Sequence, residues 1–61
     1  MRTEEYFFTC PYCWSQVSVV VDCSVLRQIV VEDCEVCCQP MQLRIRCKKG
    51  RVLWLEADPA Q

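Results

Sequence analysis

Histidine is absent from this chain of 61 residues, and glycine occurs only once. Without an imidazole no ordinary base stands ready to activate a nucleophile near neutral pH, so a hydrolytic site is not expected. Long apolar runs are missing too. Stretches such as Val19-Val20-Val21 fall far short of the roughly twenty residues that cross a bilayer, and the chain is expected to be soluble. Its start, Met1-Arg2-Thr3-Glu4-Glu5, has no basic segment followed by an apolar run, which points to the cytoplasm. Positive charge is not in excess, the formal net charge being −1, and this argues against a phosphate-binding surface as the main activity. No segment carries a helical period.

Sixty-one residues make one small domain, in a size range where an apolar core alone is marginal. Ordering such a chain costs on the order of 1.5 kcal/mol per residue, about what apolar burial returns. What the sequence has in abundance is cysteine, at seven positions. Small secreted domains are also rich in cysteine, but an odd count leaves one thiol unpaired, and the residues at the start are not those expected of a leader to an oxidising compartment. A reduced protein held by a metal is the better reading.

The cysteines show how. Cys10-Pro11-Tyr12-Cys13 and Cys34-Glu35-Val36-Cys37 form two hooks twenty residues apart. A two-residue gap lets a tight turn aim two thiolates at one ion, and two such turns fill a tetrahedral shell. The spacing C-x2-C-x20-C-x2-C lies at the upper edge of that used by zinc ribbons. Zn²⁺ bound by Cys10, Cys13, Cys34 and Cys37 would have no open position for water, making the site structural. Iron is the alternative, because four thiolates also suit a rubredoxin-like electron carrier. Such carriers favour a small residue after each hook, where this chain has Trp14 and Cys38, so zinc is preferred.

Strands are expected on either side of both hooks. Glu4–Thr9 is aromatic, Gln16–Asp22 alternates with Val17, Val19 and Val21 on one face, and Gln28–Asp33 is rich in β-branched residues. Asp22 and Ser24 start a turn in between. Met41, Leu43, Ile45 and Cys47 alternate with Gln42, Arg44, Arg46 and Lys48, and Lys49-Gly50 then turns the chain into Arg51–Glu56. Arg44, Arg46 and Lys48 read as a solvated outer face, with nucleic acid as the lesser alternative. In the last strand Leu53 and Leu55 share one face and Trp54 the other, so one apolar face is left exposed to a partner or a second copy. Tyr12, at a hook tip, is expected to be exposed, as is Cys23 in a connection, whereas Cys47 reads as a buried small hydrophobe. The fold predicted is small, all-β and zinc-ribbon-like, with short antiparallel strands and hairpins around two Cys-x-x-Cys knuckles. One domain spans 1–57, followed by a frayed tail at 58–61. The two flanked hooks hint at a pseudo-repeat.

Cys10-Pro11-Tyr12-Cys13, Val21-Asp22, Ser24, Gln28 and the block Glu32-Asp33-Cys34-Glu35-Val36-Cys37-Cys38-Gln39-Pro40 resemble the CPXCG motif-containing cysteine-rich proteins, small bacterial proteins of unassigned function. The resemblance implies a bacterial, cytosolic, zinc-ribbon-like protein and brings no substrate or partner. Two positions depart from the pattern: Trp14 stands where the motif has Gly, and Leu26 where similar sequences tend to have Gly. A positive φ at either would cost a side-chain-bearing residue roughly 1–2 kcal/mol.

The functional expectation is a non-catalytic structural zinc module that presents a surface to a protein partner or to itself, with Tyr12, Trp14 and Trp54 as candidate contacts. The alternative is a thiol redox or metal-handling protein that releases zinc on oxidation, with Cys23 and Cys38 as candidate reactive thiols. Nucleic-acid binding and electron transfer rank below both, and no membrane association is expected.

Overall fold

A computed structural model describes residues 2–60. Five strands run in chain order: β1 (Thr3–Thr9), β2 (Gln16–Asp22), β3 (Arg27–Asp33), β4 (Pro40–Lys48) and β5 (Arg51–Pro59). β1 and β2 form one antiparallel sheet, and β3, β4 and β5 form a second in that order. No helix occurs among the described residues, so none is long and apolar enough to cross a membrane. The all-β architecture of short antiparallel strands and hairpins expected from the alternation is the one observed.

The hint of a repeat becomes explicit in the fold. Thr3–Thr9, the hook at Cys10 and Gln16 reappear twenty-four positions on as Arg27–Asp33, the hook at Cys34 and Pro40. The equivalence extends to the far ends of the strands, where the Cys23 N–H donates to the Arg2 carbonyl and the Cys47 N–H to the Leu26 carbonyl. The molecule is therefore two strand–hook–strand units, with β5 added to the second.

Alternation sorts β4 as expected: Met41, Leu43, Ile45 and Cys47 are buried, and they join Val17 and Val21 of β2 and the thiols Cys10, Cys23 and Cys34 in one core. Tyr6 and Phe8 pack against it from β1, while Phe7 faces outward. The connection after β2 is an Asx turn, in which the Ser24 N–H and hydroxyl both donate to the Asp22 carboxylate. Those donors, hydroxyl first, hold the carboxyl below its usual range. Gln28 closes the same loop by donating to the Asp22 and Val25 carbonyls. Leu26 is absent from the positive-φ residues, so no strain arises there. Lys49 and Gly50 have φ of 55° and 76°, the two-residue turn whose twist suits a hairpin.

β5 differs from its expected form in two ways. The register slips between Arg46 and Cys47, with Arg46 opposite Trp54 and Cys47 opposite Val52, leaving Leu53 as the extra residue of a bulge. The bulge breaks strict alternation. Val52, Leu55 and Ala57 turn inward, whereas Leu53 and Trp54 both stay exposed, so Leu53 and Leu55 do not share a face. The strand also continues to Pro59, with Ala57 opposite Leu43, and the Ala60 N–H donates to the Pro40 carbonyl. Residues 58–60 are thus hydrogen-bonded rather than frayed, because β4 is long enough to offer them partners; Gln61 lies outside the described residues.

Candidate metal centre

The two hooks fold alike because each closes on the same backbone bonds. In the first, the Cys10 N–H donates to the Ser15 carbonyl at 2.9 Å and the Trp14 N–H to the Cys10 carbonyl at 3.0 Å. In the second, Cys34 and Gln39, then Cys38 and Cys34, repeat the pattern at 2.9 Å each. The N–H groups two residues into each turn, Tyr12 and Val36, point at the sulfurs of Cys10 and Cys34 at 3.4 and 3.3 Å. Such donors stabilise thiolate charge.

The hooks meet so that Cys10 Sγ lies 3.8 Å from Cys37 Sγ and Cys13 Sγ lies 3.8 Å from Cys34 Sγ. All four sulfurs fall within 4.8 Å of one another, and every cysteine is a free thiol. A tetrahedron with Zn–S bonds of about 2.3 Å has edges of about 3.8 Å, so the donor set fits one ion with little rearrangement. Cys10 and Cys34 are buried and Cys13 and Cys37 half-buried. Hydrogen bonds from Ser15, side chain first, pull the Cys13 thiol down to about 6, and the Cys37 N–H, followed by that of Val36, lowers Cys34. The Gln39 N–H acts to lower Cys37, but burial and the neighbouring thiols outweigh it and push that thiol up. Sulfurs held this close share protons until a cation replaces them.

Each hook also grips the opposite unit. The Tyr12 hydroxyl donates to the Pro40 carbonyl at 2.8 Å, and the Glu35 carboxylate accepts from the Ser18 N–H at 3.1 Å. Tyr12 is therefore packed rather than exposed, its ring against the core and its hydroxyl satisfied. Trp14 is 77% exposed and has φ 64°; Cys38, its counterpart, has φ 62° and is also exposed.

The remaining candidates separate. Cys23 is buried, not exposed, because it occupies in the first unit the inward position that Cys47 holds in the second. A comparison of the two halves at an offset of twenty-four residues would have revealed this from the sequence. Burial first and the neighbouring Cys23 second push the Cys47 thiol up to about 11. Cys38 stands at the hook end of the strands, about 20 Å of strand away from Cys23, so these two do not form a pair. On the outer face of the larger sheet Arg44 is matched by Glu56 at 2.9 Å and Asp58 at 3.8 Å, and the Arg46 guanidinium lies 5.9 Å from the Trp54 ring centroid. Of the cations on that face, Arg44 is paired with carboxylates and Arg46 lies against an aromatic ring.

Two antiparallel hairpin units bringing four cysteine thiols to one point define a zinc-ribbon type of metal module. A family model described as a bacterial zinc ribbon domain matches residues 8–58, and the chain belongs to that family. No curated protein and no solved structure matches it.

Proposed function

We propose that the chain is a structural zinc module in which Cys10, Cys13, Cys34 and Cys37 hold one Zn²⁺ as thiolates, and that it acts as an accessory or interaction protein without catalysis of its own. The 3.8 Å sulfur separations carry the metal reading, since they suit tetrahedral zinc and leave no coordination position for water or substrate. The interaction reading is supported by large apolar side chains left outside, chiefly Trp14 at the first hook and Leu53 and Trp54 at the bulge. The formal net charge of −1 weighs against nucleic acid, and Arg44 is already matched by Glu56 and Asp58.

Metal analysis of the purified chain with each cysteine changed singly to serine tests the proposal. Substitution at any of the four hook positions should cost both zinc and fold, whereas Cys38→Ser should retain one zinc per chain. A hook variant that folds with full metal content would overturn the assignment.

A further inference from the structure

The free edge of β3 carries a pattern that the metal site does not explain. Among the described residues β3 pairs only with β4 and its other edge meets no strand, whereas the free edge of β5 is approached by β1 and receives the Glu4 carboxylate on the Val52 N–H. β5 also has a bulge and ends in Pro59. β3 has neither bulge nor proline to keep this edge from pairing, and its charged side chains, Arg27, Glu32 and Asp33, stand at its two ends and leave Ile29-Val30-Val31 between them.

The ladder bonds fix which β3 amides are free. Beyond the two ends of the strand, Leu26 accepts from Cys47 and Cys34 donates to Gln39, both in register with the β3–β4 pairing. Hydrogen-bonded positions alternate along an antiparallel pair, so the even-numbered residues bond to β4, and the N–H and C=O groups of Arg27, Ile29, Val31 and Asp33 point outward. The side chains of these four share the outer face and all are exposed, Ile29 at 65% and Val31 at 61%.

Read against a second copy of itself in the antiparallel sense, this strand is self-complementary. Centred on Val30, Arg27 falls opposite Asp33 of the other copy, Ile29 opposite Val31, and Gln28 opposite Glu32. The outward amides then meet in hydrogen-bonded pairs, two ion pairs flank the contact, and the four exposed β-branched side chains gather into one apolar cluster. Shifting the register by two residues keeps the hydrogen bonds but moves Arg27 away from Asp33. Arg27 moreover lies opposite Arg46 within its own sheet, a like-charge pairing that an incoming carboxylate relieves.

We propose that two copies of the chain associate about a two-fold axis at Val30, joining their β3 edges into one continuous antiparallel sheet. This surface is separate from the metal hooks and from Trp14, so the proposal stands or falls apart from the zinc assignment.

Sedimentation equilibrium of the full chain over a range of concentrations tests it, with the sheet signal in circular dichroism as the check on folding. The wild-type chain should show a monomer–dimer equilibrium. Val31→Lys, at an exposed side chain, should abolish dimerisation while keeping the sheet signal. Arg27→Asp or Asp33→Arg alone should weaken association about tenfold by placing like charges opposite each other, and the double variant Arg27→Asp/Asp33→Arg should restore it. A chain that stays monomeric throughout, a dimer indifferent to Val31→Lys, or a double variant no tighter than the singles would each overturn the proposal.

Discussion

Trp14 and Cys38 occupy the same place in two matching turns: each has φ slightly above 60°, and each donates its N–H to the carbonyl of the first cysteine of its hook. That conformation is natural for glycine and costs a residue with a Cβ roughly 1–2 kcal/mol.

Replacing Trp14 by glycine should therefore be neutral or stabilising by up to about 1 kcal/mol, since relief of the turn is partly offset by the greater chain entropy of glycine. With its side chain largely in solvent, Trp14 has little packing to lose. Thermal unfolding and chelator competition of the zinc-loaded Trp14→Gly variant measure the effect. A pronounced loss of zinc affinity would mean that the indole shields the site.

Tyr12→Phe should destabilise the fold by about 1 kcal/mol with zinc stoichiometry unchanged. The substitution removes one hydrogen bond, that to the Pro40 carbonyl, while the ring still packs against the core. Denaturant titration gives the value, and an unchanged midpoint would show that Ala60 and water satisfy that carbonyl as well.

Chelation should unfold the chain. Among the described residues only nine apolar ones are buried, two of them the hook thiols Cys10 and Cys34, and structural zinc contributes roughly 10–16 kcal/mol of apparent binding energy in small modules. Circular dichroism through a titration with a strong chelator should show sheet signal and metal leaving together. Persistence of the sheet after complete metal removal would refute this dependence.

Among the non-hook thiols, Cys38 should react with an alkylating reagent well before Cys23 and Cys47, which are buried. Cys47 also predicts a pH effect. Its thiol rises from 9.0 to about 11 in the fold, so the folded state holds that proton more tightly than the unfolded one, and the associated stability is complete below pH 9 and lost as the pH climbs towards 11. Stability measured across that window should fall more steeply for the wild-type chain than for Cys47→Ala; equal slopes would remove Cys47 as the cause.

The strands and hooks were legible because local rules set them: period-two alternation in Gln16–Asp22 and Pro40–Lys48, Lys49-Gly50 for the hairpin, paired cysteines for the knuckles. What was hidden depends on contacts between distant segments. The bulge at Leu53 leaves no mark in composition, yet it reverses which residues of β5 face inward. Tyr12 looks like a loop-tip aromatic until Pro40 is brought beside it. Cys23 looks like a turn residue until the second unit places Cys47 in the equivalent position. The Pro59 end of β5 reads as tail because its partner, Met41, is far away in sequence.

The twenty-four-residue repeat divides the coordination shell evenly, two sulfurs from each unit. Neither unit alone can complete a tetrahedron, and a chain with one unit ordered would leave its ion half-ligated. Metal capture and docking of the two halves are then a single cooperative step, so a population titrated with less than one zinc per chain should divide into fully folded and fully unfolded molecules, with no half-assembled form between them.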